Sequence, residues 1–178
     1  DANTTGSKNV AMGMDAMGKR VSGDRNVAIG NYCAADGAST GDQNSALGDN
    51  AMREITTGSL NVAIGCEAGY TATTAGQCVS VGYQAGYTNN SSQNTFVGYR
   101  AGKASNASDV CYVGYDAGLH ATGNSNTCLG HRTMDQSGCT GSQNTAIGRE
   151  GLSGLTTGTQ NTVLGYLAGH DVTTGSYN

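Results

Sequence analysis

Proline and tryptophan are absent from the chain, phenylalanine occurs once, and only 12% of the 178 residues are charged. Large aliphatics are also scarce, and alanine supplies much of the 37% hydrophobic fraction. A conventional globular core needs bulky side chains to offset chain entropy, so this sequence must bury area by another route. The formal charge is -4 with no basic run or patch, which argues against nucleic-acid binding by phosphate neutralisation. No stretch reaches the ~20 apolar residues that span a bilayer, so no membrane insertion is expected, and no signal peptide is visible. The chain starts at Asp1 in the middle of a repeat and reads as a mature fragment or an excerpt.

Motifs of catalysis are missing as well. There is no G-x-S-x-G, no phosphate-cradling Gly-Lys-Ser/Thr loop, no H-E-x-x-H and no calcium-binding G-G-x-G-x-D nonapeptide. The expectation is a chain that is not an enzyme, with no catalytic residue, no cofactor and no metal site. Asp15, Glu67, Asp116 and Glu150 share a column of the repeat but are coils apart, unlike the clustered carboxylates of a solenoid hydrolase or lyase.

What abounds is glycine, 29 residues, with serine, threonine and asparagine. Composition alone would suit disorder, but the aliphatic residues recur in strict register, which low-complexity chains lack. Units open at Asn9, Asn26, Asn44, Asn61, Cys78, Asn94, Val110, Asn126, Asn144 and Asn161, at spacings of 16, 17 or 18 residues. The leading segment 1–8 matches the closing half of a unit. Three residues after each opening stands an aliphatic: Met12, Ile29, Leu47, Ile64, Val81, Val97, Val113, Leu129, Ile147 and Leu164. Glycine follows every time, as Gly13, Gly30, Gly48, Gly65, Gly82, Gly98, Gly114, Gly130, Gly148 and Gly165. The residue before the aliphatic is mostly small, as Ala11, Ala28, Ala46, Ala63 and Ala146, with Phe96 and Tyr112 as exceptions, and many units close on Thr-Thr-Gly, as at 56–58 and 156–158.

A Thr/Val-Ala-Ile run is a short strand, glycine after it suits a sharp bend, and Thr-Thr-Gly reads as a turn. Each unit is then one coil with two corners, defined by its aliphatic packing residue and its bend, and stacked coils build a narrow core from parallel strands. Residues 1–178 are therefore expected to form one all-β domain, a parallel β-solenoid (β-roll) of about ten 16–18-residue coils. Helical repeats run longer, and glycine at this density is costly in a helix.

The stretches N-V-A-I-G (26–30 and 61–65), N-T-A-I-G (144–148) and Y-Q-A-G-Y (83–87) resemble two related groups. One is the repeat arrays of phage tail fibres and viral structural proteins; the other is the YadA-type head repeats of trimeric autotransporter adhesins. The resemblance implies a structural or adhesive fibre segment on a virion or an extracellular surface appendage, without catalytic residues in the repeats. In the adhesin heads it implies a roll three chains wide. The strand pattern argues for a homotrimer independently: large aliphatic and alanine alternate, neither face is polar, and two apolar faces call for two partners. A ligand-binding solenoid, for glycan or ice, and a self-assembling extracellular filament are the alternatives, with a host-surface glycan or protein as possible partner.

Several columns invite a sharper reading. Tyr83, Tyr99 and Tyr115 share the position after the glycine in successive coils, so their rings should stack; such a stripe could bind sugars, though structural stacking is the plainer reading. One position on, Arg100, Asp116, Arg132 and Glu150 alternate in sign and could pair along the rod. The asparagine column is expected to cap turns or form an amide ladder. The six cysteines fall in different columns, which suits free thiols. Cys128, His131 and Cys139 could supply three zinc ligands, one short of a structural site. Sequons at Asn3 and Asn106 are what this composition yields by chance.

Overall fold

A computed structural model describes residues 5–19, 22–36 and 39–178; residues 1–4 of the leading segment, with the sequon at Asn3, lie outside the described residues. The chain is an all-β solenoid of about nine turns. Among the described residues there is no helix, and every coil contributes one three-residue strand to a single ten-stranded sheet. The strands are β1 (Val10–Met12), β2 (Val27–Ile29), β3 (Ser45–Leu47), β4 (Val62–Ile64), β5 (Val79–Val81), β6 (Thr95–Val97), β7 (Cys111–Val113), β8 (Thr127–Leu129), β9 (Thr145–Ile147) and β10 (Thr162–Leu164). Neighbours in sequence are neighbours in space, all parallel and all in the same register, so each residue lies over its counterpart one coil away.

Hydrogen bonding continues around the coil beyond the strands. In the segment after the bend, Arg100 N–H donates to the Tyr83 carbonyl of the coil before (2.9 Å), while Gly102 and Ala104 N–H donate to Ala117 and Leu119 of the coil after (2.9 and 2.8 Å). This up-and-down pattern requires backbone that alternates in hand. Each coil accordingly turns at three left-handed residues rather than two simple corners, for example Asn50 (φ 55°), Met52 (φ 49°) and Leu60 (φ 63°) in the third coil. A non-glycine residue there costs on the order of 1 kcal/mol, and the two-sided hydrogen bonding offsets it.

Glycine after the strand has a different cause. Its φ lies between 126° and 140° in all ten copies, a region closed to side chains. A Cβ on Gly65 would also stand 2.6 Å from the Gly82 carbonyl oxygen, and the same overlap repeats along the column from Gly13 to Gly148. Backbone meets backbone here, so nothing can yield.

The core reverses the expected roles of the strand residues. Alanine points inward: Ala28, Ala46, Ala63 and Ala146 are fully buried, and Phe96, Tyr112 and Cys128 replace them in the middle coils. The aliphatic column points outward and is half exposed, with Ile64 at 42%. The aliphatic is thus not the packing residue of its own coil. A strand of three residues between two bends has one inward position, and the interior behind it is one small side chain deep unless the opposite wall gives way.

The opposite wall does vary. Met52 and Ile55 face Ala46, and Leu152 and Leu155 face Ala146, all buried. Where the strand supplies Phe96 or Tyr112, the facing positions are Gly86, Gly102 and Gly118; a Cβ on Gly86 would come within 2.7 Å of the Phe96 ring. Phe96 and Tyr112 touch with ring centroids 5.7 Å apart.

Candidate functional site

Buried asparagines do more than open the coils. Asn44 Oδ1 accepts from the Asn61 N–H (3.0 Å) and from Asn61 Nδ2 (3.1 Å), and Asn44 Nδ2 in turn donates to Asn26 Oδ1 (3.1 Å) and to the Gly58 carbonyl (2.9 Å) of its own coil's closing turn. The amide ladder and the turn cap are the same residue. It runs from Asn9 to Asn61 and again from Asn126 to Asn178. Cys78 interrupts it, and there the amide is supplied from another column: Asn94 Nδ2 donates to Asn89 Oδ1 (3.0 Å) inside the core. That substitution is invisible to column reading, because Asn89 occupies the place held elsewhere by Ile55. At Val110 the ladder is simply broken; only the backbone bond from Val110 N–H to Asn94 Oδ1 remains (3.1 Å).

The outer face of the sheet is a continuous surface built from two columns. One column is Val10, Val27, Ser45, Val62, Val79, Thr95, Cys111, Thr127, Thr145 and Thr162; the other is the aliphatic column from Met12 to Leu164. None of these twenty positions carries a charge. At the spacing of parallel strands the strip covers on the order of 600 Å² over ten coils. Fifteen of the positions are apolar and five, Ser45, Thr95, Thr127, Thr145 and Thr162, carry hydroxyls.

Beside this strip, past the glycine bend, runs the ring column. Tyr83, Tyr99 and Tyr115 stack at centroid separations of 5.3 and 4.9 Å, and His131 extends the stack at 5.1 Å. The rings lie nearly parallel, so each face is occupied by the next ring, and solvent meets edges and hydroxyls. A sugar stacks on a free ring face, so the ladder interior does not offer that mode of binding. A second stack, Tyr70 on Tyr87 at 4.9 Å, lies further round the coil.

The charge column forms one bond of the expected ladder. Arg100 grips Asp116 through Nε (2.8 Å) and Nη2 (2.5 Å). Arg132 turns instead to Asp135 in its own coil (2.7 Å), and Glu150 to Arg149 (3.1 Å). The carboxylates hold both the Arg100 and Arg132 guanidinium groups above their ordinary range. Arg53 bridges to Asp36 in the same manner.

All six cysteines are free. Burial pushes the Cys33 thiol up to about 12 and that of Cys139 to about 11, and Cys128, wholly enclosed, is raised well above the thiol range. These are packing residues, Cys128 in place of alanine. Among the described residues no group of three or more His, Cys, Asp or Glu side chains is placed to hold a metal ion, and the His131 ring lies in the exposed ladder while Cys128 is in the core. Burial, and next to it Cys128, also pushes the Tyr112 phenol up, with Asn126 and Ser105 acting weakly against it. Its hydroxyl makes no hydrogen bond of ordinary geometry.

Fold and surfaces define a β-solenoid repeat protein. No protein family, no curated protein and no solved structure matches the chain.

Proposed function

We propose that the chain is a non-enzymatic structural segment, the elongated shaft of a viral tail fibre or a comparable surface appendage, and that it works as a side-by-side homotrimer. The observation that carries this reading is the outer sheet strip, free of charge over all ten coils, with an unbroken aliphatic column beside one of Val, Cys, Ser and Thr. A surface of that length is matched by another rod of the same length, in register with it, rather than by a small ligand. The stack itself supplies stiffness, since each coil is bonded to both neighbours around much of its circumference. The resemblance of the N-x-A-I-G units to tail-fibre and adhesin-head repeats supports the same role and a place on a virion or cell surface.

Equilibrium sedimentation of the purified chain is expected to give three times the chain mass, and electron microscopy to show rods. Ile64→Asp with Val97→Asp, both on the outer face, should release folded monomers whose circular dichroism is unchanged. A wild-type monomer, or a trimer that survives both substitutions, would overturn the reading.

A further inference from the structure

Around the bend from the outer strip, coils six to eight form a groove of about 520 Å³ lined by Arg100, Tyr115, Asp116, Leu119, His120, His131, Arg132 and Asp135. Nothing in the shaft role uses it. Among the described residues it is where two of the three histidines meet, together with two arginines held in fixed orientation.

The charges are layered. Carboxylates form the floor: the Asp116 side chain is 7% exposed and that of Asp135 11%, against 30% and 51% for Arg100 and Arg132. Asp116 is engaged on both oxygens by Arg100, and Asp135 accepts from Arg132 Nε. Those two carboxylates leave Arg100 Nη1 and both terminal nitrogens of Arg132 unengaged, against one carboxylate oxygen, Asp135 Oδ1, that Arg132 does not reach. His120 Nδ1 lies 3.0 Å from the Asp135 carbonyl oxygen, which requires the proton on that nitrogen and fixes the ring. His131 is held by stacking on Tyr115. Side chains pinned in this way bind without first losing rotamer freedom, so their donors count in full towards affinity.

A ligand for this surface must be rich in acceptors, and its anionic group must suit a planar guanidinium fork, which describes a carboxylate or sulfate. The groove also has an apolar component in Leu119 and the Tyr115 ring edge. Arg100 and Arg132 are two coils apart, about 10 Å at parallel-strand spacing, which fits a body of about two sugar rings. We infer that the groove is a binding site for an acidic oligosaccharide, one bearing a uronate carboxylate or a sulfate ester. The inference stands on the groove alone and does not require the chain to be part of a fibre.

Titration calorimetry of the whole chain with three disaccharides of equal size, one sulfated, one carrying a uronate and one neutral, tests the inference and separates the two oxyanions. Binding by either acidic sugar at least tenfold tighter than by the neutral one is expected. Arg132→Ala should cost a further tenfold or more, and Arg132→Lys should recover only part of it because the fork is lost. Arg149→Ala, one coil beyond the groove, should leave affinity unchanged. Arg132 is half exposed, so the fold should tolerate these changes, and an unchanged circular dichroism spectrum is the check. Equal affinity for the neutral sugar, no binding by any of the three at millimolar concentration, or full affinity in Arg132→Ala would each overturn the assignment.

Discussion

The 16-residue coils opening at Asn94 and Val110 and the 17-residue coils opening at Asn44 and Asn144 fill the same interior from opposite walls. In the coils opening at Asn44 and Asn144 the strand contributes alanine and the far wall contributes Met52 and Ile55, or Leu152 and Leu155. In the coils opening at Asn94 and Val110 the strand contributes Phe96 or Tyr112 and the far wall recedes to glycine. The closing turns differ too. Asn44 and Asn144 cap Gly58 and Gly158, whereas Asn94 caps Ala107, one residue having been lost from the Thr-Thr-Gly stretch. The lesson is that in these coils bulk gained on one wall is given up on the other, whatever residue stands at each position. The amide network follows the same logic, since Asn89 supplies in the middle what the opening asparagine supplies elsewhere.

The largest expected effect is one that both regions share. Gly98→Ala and Gly48→Ala each place a Cβ against a carbonyl of the next coil at forbidden φ, and each should cost more than about 4 kcal/mol, a loss readable by denaturant unfolding. Unequal losses would show that the close approach is not common to both regions. Next comes the exchange of walls. Phe96→Ala should cost about 3–5 kcal/mol, and Gly102→Met alone should fail because the new side chain meets the Phe96 ring. Combined, the two rebuild the Ala46–Met52 arrangement and should be more stable than the sum of the single losses. Strict additivity would dispose of the two-wall account. The smallest effect concerns the ladder. Asn44→Ala strips the Gly58 carbonyl and the Asn61 N–H of their partners and should cost about 2–3 kcal/mol. Val110→Asn offers Asn126 a missing acceptor at the break and should change stability by no more than about 1 kcal/mol. A thermal melt showing the reverse order would mean that the central coils depend on the ladder more than their core does.

Much of the fold was legible because a solenoid writes its geometry once per coil. Ten copies of the aliphatic–glycine pair locate ten strands, and glycine is dictated by a positive φ that all ten copies share. The direction of the strand side chains was not legible. Alternation of Ala46 with Leu47 says that the two face apart, but both are apolar, so the pattern cannot tell inside from outside. The three left-handed turns were hidden because residues as unlike as Asn50, Met52 and Leu60 accept them, held by hydrogen bonds from both neighbouring coils rather than by local preference. Of the groove, the sequence shows Arg100, Asp116 and Arg132 in one column. It does not show Arg132 turning to Asp135, since an alternating column and a within-coil pair are equally available to a long, flexible arginine.

By itself, then, the sequence determined the period, the strand, the bend and the all-β class, because each depends on local sterics repeated ten times. Tertiary structure decided which strand face is buried, which wall fills each layer, and where the donors of the groove converge. Those outcomes depend on the width of the closed coil and on neighbours one coil away in space but 16 to 18 residues away along the chain. Packing resolves them, and no local preference can.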